Sequence, residues 1–124
     1  MLNKIILIGR LTRDPELRYT PNGTAVSNFS LAVERNYKNK NGERDVDFID
    51  IVVWRKQAEH CANHLNKGRL VAVEGRLQIR SYETDEGQRR RNAEVVANNV
   101  QFLDWPNRNN DRQEPAEEDI DVPF

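Results

Sequence analysis

The feature that most constrains the fold of this sequence is the alternation of apolar and polar residues along much of its first hundred positions. Phe29, Leu31 and Val33 show this period of two most clearly. Because successive side chains of a β-strand point to opposite faces, the period predicts strands that bury one face. With a short apolar run near the N-terminus, the pattern predicts five strands, at residues 4–11, 25–34, 46–54, 69–82 and 90–103.

Residues 55–66 break this period. Ala58, Cys61, Ala62 and Leu65 recur at the spacing of one helix face, so this segment is predicted to be an amphipathic helix. Polar segments with turn-forming residues separate the other elements, at 18–24, 36–45 and 85–87.

An order of three strands, one helix and two strands predicts an all-β fold. About 100 residues with one helix between strands 3 and 4 favour a five-stranded OB-fold barrel, and a two-sheet sandwich is the alternative. Residues 1–104 form this predicted domain.

The composition changes after the last predicted strand. The chain carries a net charge of -1, but residues 1–103 hold 17 bases and 13 acids, whereas residues 104–124 hold two bases and seven acids. The second segment has no apolar period, so we expect a disordered acidic tail with a short linker at 105–116 and an acidic tip at 117–124. A mildly basic body is typical of a nucleic-acid surface, and a merely solubilising tail is the competing interpretation.

The outer faces of two predicted strands are unusual. In 46–54, Ile49, Ile51 and Val53 take the core face, which leaves Phe48 and Trp54 on the face turned to solvent. The later strand is predicted to bury Val71, Val73, Leu77 and Ile79. Its other face carries Arg76, Gln78, Arg80 and Tyr82, and the loop at 36–45 adds Tyr37 among Lys38, Lys40 and Arg44.

Aromatic rings interleaved with cations suit a single-stranded nucleic acid. Every base has a π-face that can stack without regard to sequence, and Lys and Arg meet the phosphates. Duplex bases are already stacked on each other. The competing interpretation is that Tyr37, Phe48, Trp54 and Tyr82 pack against another subunit or under a loop.

The extreme C-terminus combines acids, aliphatic residues, a proline and a terminal aromatic. Such a peptide could anchor its last ring in an apolar pocket of a partner while basic residues hold the carboxylates. An inert end is the alternative. The candidate partner-binding residues are Asp119, Ile120, Asp121, Val122, Pro123 and Phe124.

No residue pattern indicates catalysis, a cofactor or a metal. His60 and His64 lie four apart on the predicted helix but lack a third ligand, and Cys61 falls on its buried face as an inert thiol. A nuclease would have to use Asp45, Asp47 and Asp50, which straddle both faces of one strand. We expect a non-enzymatic, cytoplasmic protein without a membrane span.

The sequence resembles the bacterial single-stranded DNA-binding proteins. The matching segments are LNKIILIGRLTRDPELRYTPNGTAV (2–26), DFIDIVVWRKQAEHCANHLNKG (47–68), VEGRLQIRSYETDEGQ (73–88) and the acidic end in Val-Pro-Phe. The resemblance implies a homotetramer of OB domains, with first strands paired across a subunit interface, that wraps single-stranded DNA without sequence preference near the nucleoid. It also implies that replication, recombination and repair proteins dock on the tip.

The resemblance assigns base stacking to the same four aromatic residues. It assigns contacts with the DNA backbone to Lys4, Arg10, Lys56, Lys67, Arg76 and Arg80. Two features depart from the family pattern, because Ile120 interrupts the acids of the tip and the linker is short. A specialised relative, such as a primosome accessory or an RNA-binding module, is the alternative function, because stacking on aromatic rings accepts both RNA and DNA.

Overall fold

A computed structural model describes residues 1–104 as six strands and one helix. The predicted linker at 105–116 and the tip at 117–124, with the candidate partner-binding residues Asp119–Phe124, lie outside the described residues. The elements are β1 (Ile5–Leu11), β2 (Glu16–Tyr19), β3 (Ala25–Glu34), β4 (Val46–Trp54), α1 (Arg55–His64), β5 (Leu70–Glu83) and β6 (Arg89–Phe102).

Five of these strands pair in a closed ring. Strand β3 pairs with β4, β4 with β6, β6 with β5, and β5 with β1. The ring closes where Arg10 and Leu11 of β1 pair with Ala32 and Leu31 of β3. Every pair is antiparallel except β4–β6, which has only three rungs. Strand β2 pairs with the first residues of β3, Ala25–Asn28, on the edge that β1 joins further along.

The inner faces of the ring form the core. Its largest side chains come from four strands, at alternate positions as the period of two predicts, and burying each one contributes roughly 1.5–3 kcal/mol. The fully buried ones are Phe29, Leu31, Ile51, Val53, Val71, Val73 and Val95. Helix α1 adds its buried face through Ala58 and Cys61, with Leu65 just beyond its end. None of the helices in residues 1–104 is long and apolar enough to cross a membrane.

The number of strands is a correction to the sequence prediction. The predicted turn at 18–24 overlaps a sixth strand, β2, in which Arg18 and Tyr19 pair with Val26 and Ala25 of β3. All four of its residues are exposed, so it buries no face that would produce a strong apolar signal. It forms because the Pro-Asn-Gly turn folds the chain back on itself.

The second correction concerns Leu77 and Ile79. Both were predicted to lie in the core, but they are 42% and 51% exposed. Strand β5 pairs with β1 only as far as Gly75, and its remaining residues pair with β6 alone. The distal parts of β5 and β6 therefore form a two-stranded arm beyond the ring, with no second layer to cover the inner parity. Val52 shows the opposite behaviour: it shares the parity of Phe48 and Trp54, on the face predicted to meet solvent, and is nevertheless buried.

The arm leaves the ring at a β-bulge. The register between β5 and β6 shifts between Glu74 and Gly75, and Asn98 is the extra residue on β6. The Gln57 side chain of α1 donates to the carbonyl oxygen of Asn98 (2.7 Å) and accepts from the Val100 amide (3.1 Å). The helix thus satisfies backbone groups that the irregular ladder leaves without a strand partner.

Candidate nucleic-acid interface

The strand register gathers the predicted outward-facing residues of four strands onto one surface. Residues directly opposite each other on neighbouring strands share a face of the sheet. Phe48 and Trp54 of β4 lie opposite Ala32 and Val26 of β3. On the other side, Asp50 pairs with Glu94 of β6, which in turn pairs with Gln78 of β5. Strand β5 extends this outer face along the arm through Arg80 and Tyr82.

All four predicted stacking residues are exposed, as the parity argument requires. Phe48 is 69% exposed, Tyr37 63%, Tyr82 53% and Trp54 38%. Phe48 and Trp54 share one strand, and Tyr82 lies on the arm opposite Arg90. Tyr37 lies in the loop between β3 and β4 and lines a separate groove with Ile6 of β1. The structure therefore places three of the rings on the outer face, whereas Tyr37 lies in a separate groove.

A groove of about 370 Å³ runs across the outer face beside Trp54. Three arginines and three acids line it, so its formal charge is zero. They are Arg13, Arg18, Arg80, Glu16, Asp50 and Glu94. Arg80 Nε lies 3.2 Å from the buried Glu94 carboxylate, and Arg18 bonds Glu16 at 3.1 Å. These two ion pairs hold Arg80 and Arg18 in place and offset their charge. The middle of the outer face therefore presents an aromatic ring, Trp54, but no net positive charge.

A second groove, of about 640 Å³, adjoins the first because Trp54 lines both. Arg55 and Lys56 bring two cations to it. Its acid, Glu59, accepts a hydrogen bond from the Tyr19 hydroxyl at 3.1 Å, and this bond raises the pKa of Tyr19. The second groove therefore carries a formal charge of +1, where the first carries none.

A network of side chains shapes the loop that carries Tyr37. Arg35 donates two hydrogen bonds to the Asp47 carboxylate, at 2.9 and 3.1 Å, and they hold the pKa of Asp47 below its ordinary value. The Asn39 side chain accepts from the amides of Asn41 and Glu43 and closes the loop tip. The hydrogen bonds to Asp47 likewise raise the pKa of Arg35.

The predicted backbone-contacting cations fall into two groups. In the first group, Lys4 is paired with Glu74, Arg10 donates to the Gly68 carbonyl oxygen (2.9 Å) and Arg80 pairs with Glu94. The second group makes no ion pair within residues 1–104. Its members are Lys56, Lys67 and Arg76. Lys56 adjoins Trp54 and Arg76 lies on the outer face, whereas Lys67 lies in the loop after α1.

Three arginines at the grooves were absent from the sequence prediction. Arg13 precedes β2 and Arg18 lies within it, and the alternation in Glu16–Tyr19 was the signal that could have placed Arg18 beside Trp54. Arg55 follows Trp54 directly and adopts a left-handed backbone conformation with φ of 65°. A strand followed directly by a helix does not predict a left-handed residue at their junction.

The two histidines and the cysteine of α1 pack against neighbouring side chains. The His60 ring stacks on Phe102 with 5.1 Å between ring centroids, and His64 contacts His60 edge-on at 4.5 Å. Cys61 is buried as predicted, and burial raises the pKa of its thiol to about 12. Residues 1–104 contain no cluster of three or more His, Cys, Asp or Glu side chains that could hold a metal ion.

Comparison with known proteins identifies the family. The model of the Single-strand binding protein family matches residues 2–103, which includes every strand, the helix and both grooves. The chain belongs to the single-strand binding protein family.

Individual members of this family are similar along the same region. The chain is 62% identical over 104 residues to the single-stranded DNA-binding protein of Halalkalibacterium halodurans and 59% identical over 107 residues to single-stranded DNA-binding protein A of Bacillus subtilis. These matches cover 84% and 86% of this chain but only 62% of each relative. Single-stranded DNA-binding protein 2 of Clostridium acetobutylicum is 53% identical, with 99% of this chain and 100% of that relative covered.

Proposed function

We propose that this chain binds single-stranded DNA without sequence preference and does not catalyse a reaction on it. The observation that carries the proposal is the outer face, where Phe48, Trp54 and Tyr82 project exposed rings beside fixed arginines. Free bases can stack on such rings whatever their sequence, and each stack contributes roughly 1–3 kcal/mol. Family membership and the names of the relatives support the same ligand.

The proposed fold class is the OB-fold barrel. The closed ring of β1, β5, β6, β4 and β3, with α1 between β4 and β5, supports it. In this fold, strands 2 and 3 and the neighbouring loops supply the ligand face. Strands β3 and β4 correspond to these two strands when β2 is counted as an addition to the edge of the sheet. Strand β4 carries two of the proposed stacking rings.

We also propose that the protein assembles as a homotetramer. Four aliphatic side chains of residues 1–104 are at least 42% exposed at strand positions, and they are Ile6, Ile8, Leu77 and Ile79. Exposed apolar groups on neighbouring strands are typical of surfaces that meet another subunit. Sedimentation with and without a long oligo(dT) measures assembly and wrapping together.

The proposed cellular role is in replication, recombination and repair, with partner proteins captured by the tip at 117–124. This part rests on the sequence pattern alone. Deletion of Pro123 and Phe124 is expected to leave DNA affinity unchanged and to abolish partner binding. If partner binding survives the deletion, the tip is inert.

Fluorescence of Trp54 tests the central proposal. The chain has two tryptophans, so a Trp105→Phe background isolates Trp54. Stacking on oligo(dT) is expected to quench its emission, whereas a blunt duplex hairpin of equal charge is expected to quench far less. The same degree of quenching by oligo(dT) and by the hairpin, or no quenching by either, would refute the assignment of this face to single strands.

The alternative function is that of a specialised relative, either a primosome accessory or an RNA-binding module. Stacking alone accepts both sugars, since a ring contacts the base and not the 2′-hydroxyl. Competition between oligo(dT) and oligo(U) of equal length separates the two ligands. A clear preference for oligo(U) would favour the RNA-binding module.

A further inference from the structure

We infer that Arg55 is a further DNA-contacting residue, which binds the phosphate next to the base stacked on Trp54. This inference rests on the proposed function and specifies the course of the strand beyond Trp54. It adds a residue to the cations that the family resemblance assigned to the DNA backbone.

The backbone at Arg55 is the first observation. Five of residues 1–104 have positive φ, and four of these are glycines: Gly23, Gly42, Gly68 and Gly87. Arg55, with φ of 65°, is the exception. The left-handed region brings Cβ too close to the following carbonyl oxygen in any residue but glycine, so glycine would suit this position better.

The charge of Arg55 at the start of helix α1 is also unfavourable for the stability of the fold. Trp54 is the N-cap residue of α1 and makes no side-chain capping bond, and the first turn holds no acid. It begins instead with Arg55 and Lys56, although cations are unfavourable near a helix N-terminus. Neither the backbone conformation nor the charge of Arg55 therefore serves the stability of the fold.

The left-handed conformation has a geometric result. Consecutive side chains of an extended strand point to opposite faces, so the residue after Trp54 would ordinarily lie on the far side of β4. Here Trp54 and Arg55 line the same groove. Glycine would permit the same turn of the chain but would supply no side chain, whereas arginine places a guanidinium beside the stacking ring.

The charge of Arg55 is available for a ligand. The side chain is exposed and makes no hydrogen bond or ion pair with any other part of residues 1–104. By contrast, Arg18 and Arg80 in the first groove are each paired with a glutamate. Glu59 is the acid in the second groove, and it is engaged by the Tyr19 hydroxyl. An unpaired guanidinium beside an exposed ring suits the phosphate of a nucleotide whose base lies on that ring.

Three substitutions separate charge from backbone conformation. Arg55→Lys keeps the charge, Arg55→Gln removes it and keeps the strained backbone, and Arg55→Gly removes both. Oligo(dT) affinity of each variant is measured against salt concentration, and thermal unfolding is measured at one protein concentration.

The expected results differ among the three. Arg55→Gln and Arg55→Gly raise the Kd for oligo(dT) by roughly 2- to 5-fold at low salt, as expected for loss of one exposed ion pair. Both also reduce the magnitude of the slope of log K against log salt by about 0.7 per site. Arg55→Lys keeps the wild-type slope. Arg55→Gly raises the unfolding midpoint by roughly 4–8 °C more than Arg55→Gln does, because it alone also relieves the backbone strain.

Two results would overturn the inference. One is a wild-type slope and affinity in Arg55→Gln, which would mean that no phosphate is bound there. The other is an unfolding midpoint of Arg55→Gly no higher than that of Arg55→Gln, which would remove the argument from the backbone. If wild-type protein itself fails to bind oligo(dT), the proposed function fails instead, so the two failures are distinguishable.

Discussion

Gly75 marks the place where the arm leaves the ring, and its replacement by alanine tests how that junction is built. A Cβ atom at this position would lie 2.1 Å from the carbonyl oxygen of Val96 and 2.9 Å from Cα of Ala97. Both neighbours are backbone atoms of β6, so no side chain can rotate to make room. Val96 also pairs with Val52 of β4, and a shift of β6 would therefore disturb a third strand.

The cost of Gly75→Ala follows from that geometry. Overpacking a core typically costs roughly 1–3 kcal/mol when side chains can adjust, and here the backbone itself must move, so we expect at least about 3 kcal/mol. For a domain of this size, such a loss lowers the unfolding midpoint by roughly 12–24 °C. The assay is thermal unfolding followed by circular dichroism at one protein concentration.

Gly87 provides the matched control. It lies in the turn at the tip of the arm with φ of 82°, and an added Cβ would meet no atom within 4 Å. Gly87→Ala should therefore lose only about 1–2 kcal/mol of stability, through backbone strain. An unfolding midpoint of Gly75→Ala equal to or above that of Gly87→Ala would refute the argument from close approach.

Three further predictions concern single side chains. Phe48→Ala should raise the Kd for oligo(dT) by roughly 5- to 150-fold while its unfolding midpoint stays near wild type, since the ring is 69% exposed; unchanged affinity in fluorescence titrations would contradict stacking. Cys61 should react with Ellman's reagent only on unfolding, because it is buried and its thiol has a pKa of about 12; rapid modification of native protein would contradict this. Asp47 should titrate below its ordinary value of 3.8 by carboxyl NMR, so its pairing with Arg35 contributes stability at neutral pH that is lost as the pH falls through this lowered pKa; Arg35→Gln should return the titration to the ordinary value, and no change would contradict the ion pair.

The local periods of the sequence predicted much of the fold. Five of the strands and the helix were predicted close to their observed bounds, because each buries one face and so carries its own apolar period. The exposure of Phe48 and Trp54 followed from the same parity. Their role in DNA binding stays a prediction.

What the sequence could not predict depends on which strands become neighbours. Leu77 has the parity of a core residue, but β5 extends beyond the ring at this point. No second layer within residues 1–104 therefore covers the Leu77 side chain. The pairing of Asp50 with Glu94 joins β4 to β6 in parallel, and only this register brings enough acid into the first groove to cancel its arginines. The left-handed turn at Arg55 likewise arises from the junction of a strand with a helix.

The pairing of β1 with β5 has a consequence for biosynthesis. Ile8 lies opposite Ala72, sixty-four residues later in the chain. At roughly 5–20 residues per second, a ribosome needs about 3–13 s to synthesise these sixty-four residues. During this time the aliphatic side chains of β1 cannot yet pair with β5. The nascent N-terminus is therefore open to mispairing or chaperone capture until translation has passed β5.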